Sequence, residues 1–187
     1  ISGKGGTGKT TLVGSLAHLA DEKVMADNDV DAADLHLLLA PRVREAHDFV
    51  GSIKAVVEPA KCVICGRCAA ACHFDAIRQD GPGNGMEAAT YRVDPMICEG
   101  CGLCPRVCPV QAIRSEPNVT GRWYVSDTDH GPMVHARLGI AEENSGRLVA
   151  QVRDRSATLA EELRLPLILG DGPPGTGCPV IASLTGA

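Results

Sequence analysis

The sequence predicts an α/β fold: a mostly parallel sheet flanked by helices, truncated at both ends and interrupted by a small α+β insert. Three observations lead there. A glycine-rich loop, Gly3-Lys-Gly-Gly-Thr-Gly-Lys-Thr10, opens the chain, and a glycine-proline loop, Gly170-Asp-Gly-Pro-Pro-Gly175, follows an apolar run near its end. Between them lie two matching cysteine runs of quite different character. Loops of the first two kinds belong at the carboxyl edge of strands in open α/β sheets, whereas tight cysteine runs build a compact unit of their own. The boundaries expected are 1–53 and 117–187 for the two parts of one domain and 54–116 for the insert.

The opening loop satisfies the P-loop pattern through Gly3-x-x-x-x-Gly8-Lys9-Thr10. Its glycines let the backbone curl so that successive N–H groups face a phosphate, and a helix starting near Gly8 brings its positive dipole end to the same anion. The expected nucleotide-binding residues are Gly3, Lys4, Gly5, Gly6, Thr7, Gly8, Lys9, Thr10 and Thr11. Lys9 should reach the β- and γ-phosphates of ATP and the Thr10 hydroxyl should ligate Mg²⁺. A P-loop follows a buried strand, yet only Ile1 precedes Ser2, and the chain stops shortly after the second loop. The expectation is an internal fragment of a longer protein.

With 187 residues the chain can bury a real core, and its net charge of -5 gives no basis for nucleic-acid binding. No apolar run approaches the ~18 residues needed to cross a bilayer, and no signal segment opens the chain. A cytoplasmic setting is expected. There, nine cysteines point to metal ligation rather than disulfides.

Along the chain, Thr10–Ala20 places Leu12, Leu16 and Leu19 at helical spacing, so these should pack on the sheet, with His18 structural. Lys23–Ala26 reads as a strand delivering Asp27, Asp29 and Asp31 at its carboxyl edge. A helical run over Ala32–Leu39 offers Leu35, Leu38 and Leu39 to the core before Pro41 ends it. After Pro117, Arg122–Ser126 and Met133–Ala136 are strand-like, and a helix from Ser145 to Leu163 lines up Leu148, Val152, Leu159 and Leu163. Leu165–Leu169 then forms the strand that carries Asp171.

The insert is an internal repeat with an offset of 36 residues: Cys62-x-x-Cys65-x-x-Cys68-x-x-x-Cys72 recurs as Cys98-x-x-Cys101-x-x-Cys104-x-x-x-Cys108. Two such runs are the signature of a bacterial-type ferredoxin with two 4Fe-4S clusters, in which each fourth cysteine serves the other cluster. Cys62, Cys65, Cys68 and Cys108 should therefore hold one cluster, and Cys98, Cys101, Cys104 and Cys72 the other. His73 stands where Pro109 stands in the second run, which should alter the local turn or the hydrogen bonding to sulfur without loss of the ligand. Gly81–Gly85 reads as a flexible connector between the halves.

Lys4-Gly5-Gly6-Thr7-Gly8-Lys9-Thr10 resembles the deviant phosphate loop of the MinD/ParA superfamily of P-loop ATPases, a group that includes the nitrogenase iron protein. That resemblance implies a P-loop NTPase fold and an ATP-sandwiched homodimer in which Lys4 crosses to the neighbour's nucleotide. It also implies catalytic roles for Lys4, Lys9 and Asp29. Asp27-x-Asp29 resembles the superfamily's switch I pair; Asp29-x-Asp31 fits the same short pattern, and Asp29 is favoured as the residue that orients water. Gly170-Asp171 through Gly175 resembles the Walker B and switch II segment, so Thr10, Asp29 and Asp171 are the expected magnesium residues. Gly170 departs from the usual aliphatic residue of a central strand. Cys178 lies where the nitrogenase iron protein has a cluster ligand, but no second spare cysteine accompanies it, and a buried structural thiol is expected.

Taken with the cysteine runs, the resemblance implies an ATPase, converting ATP and water to ADP and phosphate, whose dimer switch is coupled to electron transfer through two clusters. An iron-sulfur or metallocofactor assembly ATPase is the alternative. A MinD-like positioning ATPase with redox-sensing clusters is a third. The corresponding partner is a redox protein or a cluster-accepting protein.

Overall fold

The computed structural model describes residues 3–81, 90–139 and 145–186. Two compact units are present, one made of Ile1–Gly51 with Val119–Ala187, the other of Ser52–Asn118. The connector expected at Gly81–Gly85 falls, after Gly81, outside the described residues, as does the truncated strand at Ile1 and Ser2.

In the first unit the chain forms α1 (Lys9–Leu19), β1 (Lys23–Asp27), α2 (Leu35–Leu39) and the start of β2 (Arg42–Val57). The second unit contributes α3 (Arg67–Ala70), β3 (Ile77–Asp80), β4 (Thr90–Val93) and α4 (Leu103–Val107). The chain re-enters the first unit along β5 (Ile113–Thr128), followed by β6 (Gly131–Leu138), α5 (Ser145–Leu163), β7 (Leu167–Asp171) and α6 (Cys178–Leu184).

Five strands form one sheet in the order β2-β5-β6-β1-β7. β1 runs parallel to both β6 and β7, with Asp27 opposite Asp171. β5 runs antiparallel to β6. Beside it, Arg44 pairs with Asp127 and Asp48 with Arg122, an order that makes β2 antiparallel to β5. The sheet is therefore mixed, which corrects the expectation of a mostly parallel one. The physical reason is the turn at Asp129-His130: His130 N–H donates to Thr128 Oγ1 at 3.0 Å, and Gly131 takes φ 118°. A link that short joins only antiparallel strands, while β7, parallel to β1, is reached through α5.

β1 is buried along its whole length and alternates between two cores. Val24 and Ala26 pack with Leu148, Val149, Val152 and Leu159 of α5. Met25 faces the other way, onto Val13 and Ala17 of α1, Leu35 and Leu39 of α2, and Met133. Each fully buried large side chain contributes roughly 1.5–3 kcal/mol, so these layers fix the strand whose end carries the carboxylates. Lys23 at its start is 5% exposed, and its ammonium donates to the carbonyls of Ala20 (2.6 Å) and His130 (2.7 Å). The first of these carbonyls closes the C-terminal end of α1.

Several core assignments change. On α1 the packed pair is Val13 and Ala17, one helical turn apart, whereas Leu12 and Leu19 are exposed. α2 is a single short turn, so Leu35 and Leu39 are buried but Leu38 is not. On α5 Leu163 lies exposed at the last position, and Ser156 takes a place in the buried stripe by donating its hydroxyl to the Val152 carbonyl. β2 has no counterpart in the sequence reading, and β5 runs on through Pro117, where a boundary was expected. β5 pairs with β6 only from Gly121 onward, so the proline lies outside that ladder. β7, which carries Gly170, ends the order of the described strands rather than lying centrally, and a Cβ at Gly170 would stand 3.2 Å from the Asn28 side-chain amide.

The second unit keeps the symmetry of its repeat. β3 and β4 pair antiparallel, Ile77 opposite Val93, and Cys68, Ile77, Cys104 and Ile113 form a small core. Gly66 and Gly102, one offset apart, both precede a short helix at φ 72°. Asp75 and Gln111 take φ 52° and 51°.

Candidate functional site

The eight cysteines of the repeat line two separate cavities in the Ser52–Asn118 unit. Cys62, Cys65 and Cys68 share one with Cys108; Cys98, Cys101 and Cys104 share the other with Cys72. The lining follows the crossed grouping expected, since α3 carries the chain from Cys68 to Cys72 and α4 carries it from Cys104 to Cys108. His73 leaves the turn after Cys72 intact, matching the turn after Cys108.

The remaining lining is apolar: Val57, Val63, Ile64 and Ile113 around the first cavity, Ile53, Phe74, Ile77 and Leu103 around the second. Burial pushes Cys104 up to about 11, and the sulfurs of Cys98, Cys101 and Cys72 act in the same direction. Burial likewise raises Cys68, with Cys62 and Cys65 adding to it. For Cys68 and Cys104, a cationic centre would offset both the burial and the neighbouring sulfurs. Among the described residues no three histidine, cysteine or carboxylate side chains converge tightly enough for a single ion. A cubane spreads its ligands over four corners, so two sets of four cysteines fit two 4Fe-4S clusters.

Donors also point at the sulfurs. Burial acts to raise the Cys62 thiol, but the N–H groups of Ile64 and Tyr91 and the Thr90 hydroxyl bring it below the ordinary value. Ala112 N–H donates to Cys108 Sγ at 3.2 Å. Lys54 Nζ donates to the Cys98 carbonyl at 2.6 Å. Neither Lys54 nor Thr90 figured among the expected site residues, although extending the 36-residue offset two positions upstream of Val56 would have paired them.

In the first unit the glycine-rich loop curls as its glycines allow, Gly6 at φ 74° and Gly8 at φ 80°. Thr7 Oγ1 and Lys9 Nζ both donate to the Lys4 carbonyl, at 2.8 and 3.2 Å. Gly3 bridges Pro174 in parallel, and Gly5 faces the same proline, so the two loops lie side by side. Lys4 is exposed, as are Gly5, Gly6, Thr7, Gly8 and Thr11, while Lys9 and Thr10 are half-buried. Lys9 acts on both Asp29 and Asp171, and the Thr10 hydroxyl donates to Asp171. The fold therefore brings Lys9, Thr10, Asp29 and Asp171 together from three segments of chain.

Asp27 lies deeper than either of its neighbours. Its carboxylate accepts from the N–H groups of Asp29 (3.2 Å) and Leu35 (3.3 Å). Burial, followed by the charges of Asp171 and Asp29, pushes it up to about 8. Burial also raises Asp29 and Asp171. One oxygen of Asp171 is buried without a hydrogen-bond partner. Asp27, Asp29 and Asp171 are thus three carboxylates raised by burial, one of them with an orphaned oxygen. Cys178, expected to be buried, is exposed at the start of α6.

Residues 61–112 match the 4Fe-4S dicluster domain. This part of the chain is an iron-sulfur dicluster domain. Over 189 aligned residues, covering 98% of this chain, the sequence is 33% identical to an uncharacterized protein of Methanocaldococcus jannaschii. The chain spans 62% of that relative's length. No helix among the described residues is long and apolar enough to cross a membrane.

Proposed function

We propose that the chain belongs to an ATP-hydrolysing iron-sulfur protein of the P-loop NTPase kind, in which a nucleotide-driven dimer switch is coupled to electron transfer through two 4Fe-4S clusters. The observation that carries the proposal is the meeting of Lys9, Thr10, Asp29 and Asp171 beside a curled glycine loop, in a chain that also contains a dicluster domain. Phosphoryl transfer asks little more of a protein than this. Cations neutralise the phosphates, a hydroxyl and a carboxylate hold the Mg²⁺ shell, and a second carboxylate orients water. Lys9 and Thr10 take the first two roles, Asp171 the third and Asp29 the fourth. Lys4, exposed on the loop, is free to reach the nucleotide of a second copy.

Electron transfer is favoured over cluster delivery because Cys68, Cys98 and Cys104 are buried and each cavity is walled by apolar side chains. Such a site retains a resident cofactor. The test is anaerobic ATPase turnover of the full-length protein with Mg²⁺. Removal of one charge that stabilises the transition state costs roughly 10²–10³-fold, so Lys9→Ala and Lys4→Ala should each lose at least that much while iron content stays at the wild-type level. Phosphate release that survives Lys9→Ala unchanged would overturn the assignment of this loop.

A further inference from the structure

The two halves of the dicluster unit are related by a shift of 36 residues, and the positions that differ across it mark what the protein has made unequal. Lys54 and Thr90 are such a pair. Thr90, on β4, lies beside Cys62, its hydroxyl 3.4 Å from the Tyr91 carbonyl. Lys54, on β2, holds its ammonium 2.6 Å from the carbonyl oxygen of Cys98 in the second. Cys62 and Cys98 are themselves one offset apart, so a neutral hydroxyl and a full positive charge occupy equivalent places beside two otherwise similar sites.

We infer that Lys54 ranks the two clusters, making the site of Cys72, Cys98, Cys101 and Cys104 the one with the higher reduction potential and hence the preferred seat of a single electron. The inference rests on both sites holding 4Fe-4S clusters. Adding an electron makes a site more negative by one charge. A fixed cation nearby stabilises that state, and it acts strongly here because the lysine is half-buried among apolar residues. The bias moves one electron, forms no bond and releases no proton: whichever electron the Cys62 site gives up, the Cys98 site accepts.

The other charges near the two sites lie in water: Lys61 and Arg67, which precede Cys62 and Cys68, are exposed, and Lys61 pairs with Glu58. The first cavity has no charged residue among its lining groups. The second has Glu99, but its side chain is exposed and screened by water, whereas Lys54 is held by a short hydrogen bond. The donors on Cys62 and Cys108 do raise the potential of the first site, yet they are neutral groups, and charge-assisted contacts are about twice as strong.

The test is a redox titration of the reduced, fully loaded full-length protein followed by EPR, comparing wild type with Lys54→Met, Lys54→Arg and Thr90→Lys. Iron and sulfide are counted first, which separates failure of the two-cluster premise from failure of the inference. Lys54→Met should lower the higher of the two couples by about tenfold in the ratio of reduced to oxidised cluster, equal to 59 mV for one electron, and leave the lower couple in place. Lys54→Arg should restore it. Thr90→Lys should raise the lower couple and close the gap, and it serves as the test should Lys54→Met fail to load. The inference is overturned if Lys54→Met moves the lower couple instead, or if neither the lysine nor the threonine variant shifts any potential.

Discussion

Gly100 and Ile64 occupy equivalent places in the two cysteine runs, and the structure predicts that they respond to substitution in opposite ways. Both take the left-handed conformation, Gly100 at φ 65° and Ile64 at φ 57°. An L-residue there costs about 1–2 kcal/mol. At Gly100 a side chain would also collide with β2: a Cβ would overlap the Ile53 carbonyl oxygen and lie 3.1 Å from its carbon and 3.3 Å from Cγ1. Overlap with backbone that has to be relieved by movement costs a further ~1–3 kcal/mol. Gly100→Ala should therefore destabilise the dicluster unit by roughly 2–5 kcal/mol, the sum of the two effects. Ile64 already bears the first cost and meets no such obstacle, with 42% of its surface exposed. In Ile64→Gly the relief of strain is offset by the extra freedom of glycine, about 0.5–1 kcal/mol, and the variant should stay within about 1 kcal/mol of the parent. Anaerobic denaturant titration, followed by the visible absorbance of the bound clusters, measures both. Equal damage from the two substitutions, or a Gly100→Ala protein as stable as the parent, would refute the reasoning.

Three further outcomes are expected. In chelator and without nucleotide, the protein should lose stability as pH rises from about 4 to about 8, because Asp27 is raised from 3.8 to about 8 and its ionisation is unfavourable only in the folded state. The slope should approach 1.4 kcal/mol per pH unit for the one proton involved. Asp27→Asn, which mimics the protonated form, should flatten this slope when melting temperature is measured against pH; an unchanged slope would mean that the burden lies elsewhere. Cys108→Ser and Cys72→Ser should impair different clusters, the first the site of Cys62, Cys65 and Cys68, the second that of Cys98, Cys101 and Cys104, each read from iron content and EPR. An effect of Cys108→Ser on the Cys98 site alone would remove the crossed arrangement. Val24→Ala, which opens a cavity between β1 and α5, should cost roughly 2–4 kcal/mol on unfolding, whereas Leu12→Ala, on an exposed position of α1, should change stability by less than about 0.5 kcal/mol.

How much of this was legible beforehand depended on whether the information was local. The grouping of cysteines around the two cavities was readable because three residues between Cys68 and Cys72, repeated between Cys104 and Cys108, leave the chain little choice about where it goes. The curl of the glycine-rich loop was readable for the same reason, since Gly6 and Gly8 announce positive φ. The burial of Val13 in place of Leu12 was not, because both positions suit an amphipathic helix and only the partner surface, Met25 and Leu35, selects between them. Cys178 was misjudged on residue type: cysteines are usually buried, but α6 begins with this one turned to solvent.

By itself the sequence determined the donor sets, through cysteine spacing and glycine placement, which act over a few residues and constrain the backbone directly. Tertiary structure decided what depends on distant segments meeting. It made half of the sheet antiparallel through the turn at Asp129-His130, set Asp27 opposite Asp171, and placed Lys54 rather than a neutral group on the carbonyl of Cys98. The distinction is physical. Spacing fixes which atoms can share one local centre, whereas burial, register and charge proximity exist only after chain segments far apart in sequence have packed together.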